Sequence, residues 1–120
     1  MPAPSEDERA ELERSLATAR ERTAAQVDAL GRDLDQIIEA TELVSTDDEH
    51  DPEGATIAYE RAQVTALLAQ ARDDLAALDR ALADVRAAGH MNCERCAEPI
   101  ALERLVALPT ARTCIRCASR

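Results

Sequence analysis

The 120-residue chain contains no phenylalanine, no tryptophan and a single tyrosine, Tyr59. Aromatic side chains supply much of the bulk of a large core, so their scarcity excludes a sizeable globular interior. Lysine is absent too, which leaves arginine as the only permanent cation. No apolar run approaches the ~18 residues that a membrane helix needs. The N-terminus, MPAPSEDERAELER, has neither the basic start nor the apolar centre of a secretory signal. These absences lead to the expectation of a cytoplasmic protein without a membrane partner. In that reducing compartment, four cysteines in two close pairs point to a metal rather than to disulfides.

Alanine, leucine, acids and arginine dominate the first 89 residues, the composition of long helices and coiled coils. Charge is uneven along the chain. Residues 1–89 hold 21 acids against nine arginines, a balance of −12, whereas residues 90–120 hold three acids and five arginines, a balance of +2. Binding to phosphate backbones needs clustered cations that displace counterions, so the acidic part is a poor nucleic-acid ligand. Its target is expected to be a protein or a metal ion.

Ser5 followed three residues later by Glu8 is the pattern of a capping box, and it marks a helix start. Beyond it, Val27, Leu30, Leu34, Ile37, Thr41 and Val44 alternate steps of three and four, which keeps one seam toward a partner helix. Leu12 and Leu16 extend the seam weakly, with Arg20 and Thr23 at the positions between. After a break at residues 45–54 the arithmetic resumes with Ile57, Val64, Leu68, Ala71, Leu75, Leu78, Leu82 and Val85. The break is too short for a parallel return, so the two helices should pair antiparallel, with Leu34 near Leu68, Ala71 opposite Leu30 and Val27 near Leu75. The second helix, from Ile57 to Ala88, would span about 48 Å. Gly89 suits the left-handed residue that ends a helix. The expected architecture is mostly α, a long antiparallel two-helix coiled-coil hairpin over residues 1–89 followed by a small module over residues 90–120.

That module carries Cys93 and Cys96 in one CxxC and Cys114 and Cys117 in another, seventeen residues apart. Each CxxC turns the backbone so that two thiolates reach one ion, and two such turns complete a closed tetrahedral shell. A closed shell leaves no open position for substrate, so one structural Zn2+ is the expected cofactor. His90 lies nearby, but four sulfurs already fill the shell. Ile100, Leu102, Leu105 and Leu108 are expected to pack over the metal and against the helices.

The first CxxC, Ile100, Arg104, Leu105, Ala107, Pro109, Thr110, Ala111 and the second CxxC together resemble the DksA/TraR type of C4 zinc finger. A helical hairpin with an acidic tip extends the resemblance over nearly the whole chain. The resemblance implies a transcription regulator that binds RNA polymerase directly, without sequence-specific DNA binding, and inserts the hairpin through the secondary channel toward the catalytic centre. It implies that tip acids act near the active-site magnesium, an action that ppGpp often potentiates in the family. The family's tip has an Asp, two residues, a second Asp, one residue and an Ala. With Asp51 as the first acid, Gly54 and Thr56 fall on the other two positions; with Asp48 and Asp51 as the pair, Glu53 replaces the alanine. The family's ppGpp contacts include lysine, which this chain lacks.

The tip reads STDDEHDPEG, and from Asp33 to Glu60 there are ten acids and no cation. Asp51 before Pro52 is a helix-start signal, and Glu53 would sit in a first turn where the helix dipole favours an anion. Asp47, Asp48 and Glu49 have no such explanation, since they fall toward the end of the first helix where the dipole disfavours them. Asp47, Asp48, Glu49, Asp51 and Glu53 are therefore the candidate tip residues. Two other readings stand beside polymerase regulation: a zinc-capped adaptor for an unrelated protein, and a secondary-channel factor whose acids hold a metal for transcript cleavage. Nucleic-acid binding through Arg95, Arg104, Arg112 and Arg116 is disfavoured because no aromatic is available for base stacking. No constellation of nucleophile, base and orienter is visible, so no enzymatic activity is expected, and the protein is expected to act as a monomer.

Overall fold

The computed structural model describes residues 4–43 and 52–119. It is mostly helical, with α1 at Glu6–Leu43, α2 at Pro52–Ala88, α3 at Leu102–Ala107 and α4 at Ile115–Ala118. Among the described residues there is no strand, only an isolated antiparallel bridge between Asn92 and Pro99. The boundaries follow local chemistry. Ser5 N–H donates to Glu8 Oε1 at 3.3 Å and Glu8 N–H donates to Ser5 Oγ at 3.2 Å, so the capping box at the start of α1 is closed in both directions. α2 begins at Pro52, whose missing N–H is no loss at a first helical position. It ends at Gly89, which takes φ +81° and donates its N–H to the Val85 carbonyl at 2.7 Å. The Arg9 guanidinium donates to the Arg86 carbonyl, placing a cation where the last-turn carbonyls of α2 need one.

The chain forms two compact units, Ala24–Asp73 and the combination of Met1–Thr23 with Asp74–Arg120. In the first, α1 and α2 meet along a single stripe. Leu68 and Ala71 are buried there, while Val27, Leu30, Leu34, Ile37 and Val64 are half-buried. Ile37 and Val64 line one groove, as expected for the antiparallel register. Two helices alone cover only one face of each other, so this seam stays thin.

The other unit holds the core. Here α1 and α2 are antiparallel, because Arg9 reaches Arg86 while Arg20 pairs with Asp79. Leu12 and Leu16 are at 1% and 0% exposure, and they join Leu78, Ala81, Leu82 and Val85 of α2 with Met91, Cys93, Ile100, Leu105, Ala111 and Cys114. The two leucines that extend the heptad pattern only weakly are thus among the most deeply buried side chains. The reason is a third packing partner, the cysteine module, which covers α1 and α2 from a side that a two-helix seam leaves open. Ala81, a neighbour of the expected seam, belongs to the same buried cluster, and Ala77 is buried as well. Arg20 occupies a seam position but faces outward, and its ion pair with Asp79 is half exposed and contributes little.

Candidate metal centre

Two local devices bring the four cysteines together. In the first CxxC, Arg95 N–H points at Cys93 Sγ at 3.4 Å, and Ala97 N–H donates to the Cys93 carbonyl at 2.9 Å. Ala97 takes φ +63°, a left-handed conformation that reverses the chain immediately after Cys96. The reversed segment then pairs back: Cys93 N–H donates to Glu98 O at 2.7 Å and Ile100 N–H donates to Met91 O at 2.8 Å. In the second device, Cys114 is the N-cap of α4, and Ala118 N–H donates to its carbonyl at 2.9 Å. Cys117 therefore returns one turn later on the same side. The devices are tied to each other by Glu94 N–H donating to Arg112 O at 2.9 Å. Arg104 Nε, from α3, donates to Thr113 O at 2.9 Å and fixes the approach to Cys114.

The result is a group of four sulfurs all within 4.8 Å of one another. Cys96 Sγ and Cys114 Sγ are 3.7 Å apart, and the edge of a tetrahedron with zinc–sulfur bonds of about 2.3 Å is about 3.8 Å. The donor set and its spacing fit one zinc ion, the structural cofactor that the spacing of the cysteines predicts. No carboxylate or imidazole enters the group among the described residues. His90 lines a neighbouring cavity instead.

Proton affinity differs within each pair. Burial raises the Cys93 thiol, but backbone N–H groups of Cys96, Cys114 and Arg95 outweigh it and bring it down to about 6. Cys114 is also lowered, chiefly by the Cys117 backbone N–H. Cys117 is pushed up to about 12, first by the Cys114 sulfur beside it and then by burial. For Cys96 the Glu98 backbone N–H acts downward, yet burial and the Cys93 and Cys114 sulfurs leave the net shift upward. Cys93 is thus set to be anionic while Cys117 keeps its proton, and Cys114 and Cys96 are shifted in opposite senses, the first lowered and the second raised.

The expected apolar cover is partly as read. Ile100 and Leu105 are buried at 3% and 1%, and Leu102 packs against the same cluster. Leu108 is a correction: it is 47% exposed. It caps the C-terminus of α3, where its N–H donates to Arg104 O and its carbonyl accepts from Ala111 N–H, and this turn directs the side chain outward. Met91, buried at 7%, takes a place in the core that its position beside the linker did not suggest. Of the candidate tip residues, Glu53 is in the first turn of α2 and exposed. Asp47, Asp48, Glu49 and Asp51 lie outside the described residues, as does Val44.

Paired long helices with a four-thiol module define a helical protein bearing a C4 zinc finger. Residues 86–120 match the family described as the prokaryotic dksA/traR C4-type zinc finger. The fold of the whole chain is similar to the structure of transcription factor DksA2 from Pseudomonas aeruginosa, with a TM-score of 0.75 and 24% identity, over 97% of this chain and 84% of that one. No curated protein matches the sequence.

Proposed function

We propose that the protein is a transcription factor of the DksA type that binds RNA polymerase directly and carries its acidic tip into the secondary channel to modulate initiation. The observation that supports it most is the coincidence, in one chain, of a dksA/traR-type finger with a fold similar to DksA2 over nearly the full length. In this reading residues 1–89 supply the inserted element, and residues 90–120 form the zinc-held base, with Cys93, Cys96, Cys114 and Cys117 as ligands. Asp47, Asp48, Glu49, Asp51 and Glu53 are the acids presented to the catalytic centre. They act as fixed negative charge that competes for magnesium and loop contacts, without bond chemistry of their own.

The flanks of the tip favour this role. Asp33, Asp35, Glu39, Glu42, Glu53 and Glu60 are all exposed, so the flanks of the tip present an acidic surface. Tyr59 at 71% exposure and Leu67 at 49% lie eight residues apart on α2 and offer apolar contact to a channel wall. The test is retention of RNA polymerase on the tagged chain, combined with promoter-complex lifetimes. Asp48→Ala with Asp51→Ala should keep the polymerase bound and abolish the change in lifetime. Failure of the wild type to retain polymerase would sink the proposal and favour the adaptor reading.

A further inference from the structure

Beside the cysteine module, within the unit that carries it, two adjoining cavities of about 440 and 340 Å3 share Glu8, Leu102 and Glu103. The floor of the larger is closed by the buried Leu12, Ile100 and Leu105. Their walls include exposed apolar surface, with Pro99 on one side and Val106, 42% exposed, on the other. Three acids rim this groove: Glu8 and Glu11 from the first turns of α1 and Glu103 from α3, all exposed. Among the described residues, no arginine lines either cavity. The two arginines adjacent in sequence are committed elsewhere, Arg9 to the Arg86 carbonyl and Glu13, and Arg104 to the Thr113 carbonyl.

An apolar slot rimmed by exposed carboxylates, of which Glu8 also accepts from Ser5 N–H, is complementary to one kind of occupant. We infer that this groove docks a cationic segment of a partner protein, in which a leucine-sized side chain enters the slot and flanking arginines or lysines meet Glu8, Glu11 and Glu103. The apolar slot supplies burial, and the rim supplies selection by sign. A second copy of this chain is the weaker occupant. Its exposed Ile115 is flanked by Arg112 and Arg116, but two chains of net charge −10 repel. The inference is independent of the polymerase reading, because it concerns the groove beside the finger and not the tip.

The test uses the zinc-loaded full chain and three fluorescein-labelled peptides in anisotropy titrations at 0.15 M salt. One has two leucines flanked by arginines, one has serines for the leucines, and one has glutamates for the arginines. The first should bind at least tenfold more tightly than either of the others. Glu11→Arg with Glu103→Arg should weaken it at least tenfold and should transfer preference to the glutamate-flanked peptide, a gain that misfolding cannot produce. Val106→Arg, at an exposed wall position, should block the leucine peptide while helicity and zinc content stay unchanged. Equal binding of the serine and leucine peptides would reduce the site to general attraction by an acidic protein and overturn the inference. Indifference to both variants would do the same, as would concentration-dependent self-association abolished by Ile115→Ser, which would make the second copy the occupant.

Discussion

Leu16→Ala should be among the most damaging substitutions in α1, although the heptad pattern gives Leu16 little weight. The side chain is at 0% exposure and belongs to the cluster that α1, α2 and the cysteine module build together. Truncation removes about three carbons, worth roughly 2.4 kcal/mol at ~0.8 kcal/mol per buried methylene. If about 60 Å3 is left unfilled, the cavity adds about 1.4 kcal/mol at ~24 cal/mol per Å3. The expected loss is therefore about 4 kcal/mol, which for a chain of this size lowers the melting temperature by roughly 15 °C. Leu34→Ala is the control. Leu34 is half-buried on the two-helix seam, so about half the transfer term and little cavity cost apply, for a loss of about 1–2 kcal/mol. Urea and thermal unfolding of the zinc-loaded variants, followed by helical circular dichroism, give both numbers. A Leu16→Ala loss no larger than that of Leu34→Ala would refute the claim that stability is concentrated around the finger.

Further outcomes follow from the termini and from the sulfurs. Gly89→Ala should cost about 1 kcal/mol: φ is +81°, whereas an added Cβ would meet the Arg9 side chain at an ordinary 3.5 Å, so the penalty is backbone strain and not crowding. Ala97→Gly, at φ +63°, should run the other way and raise stability by up to about 1 kcal/mol in the same unfolding assay. Zinc uptake at pH 7.5 should release no more than about three protons per chain, because Cys93, brought down to about 6, is already a thiolate while Cys96 and Cys117 are shifted upward. Titration in a weakly buffered indicator measures this, and four unperturbed thiols would release nearly four. The sign for Cys93 is that of a lowered group: its stabilising share is present above the ordinary thiol range and is lost as pH falls through about 6. Metal-free protein should therefore lose part of its stability between about pH 9 and about pH 6, with no further loss from this group at lower pH. Stripping zinc with a strong chelator should expose the Leu105 and Ile100 cluster, seen as dye binding, and Cys114→Ser should do the same.

Much of this was legible because it is local. Ser5 with Glu8, Pro52 and Gly89 each satisfy backbone groups within a few residues of themselves, so their identity alone marks the helix ends. The cysteine spacing is likewise a property of two short turns, and it announces the metal before any tertiary contact is known. The misjudged positions depend on a third body. A heptad reading assumes that a helix answers only to one partner helix, so Leu12 and Leu16 look marginal until the zinc module is laid against them. Leu108 failed in the opposite sense: its spacing from Leu105 suited a buried stripe, but α3 ends at Ala107 and the turn reverses the side chain. Met91 gave no periodic signal because it lies between a helix end and a knuckle. The tip acids carry no hydrophobic pattern, so periodicity says nothing of their role.

The central claim is that the acidic tip reaches the catalytic centre of RNA polymerase. A photocrosslinking residue placed at position 48, in the zinc-loaded chain bound to polymerase, tests it most directly by mass-spectrometric mapping. Insertion of the tip predicts crosslinks to polymerase segments lining the secondary channel and active centre, lost when a secondary-channel ligand competes. Crosslinks confined to the outer surface of the polymerase, with the chain still bound, would contradict it.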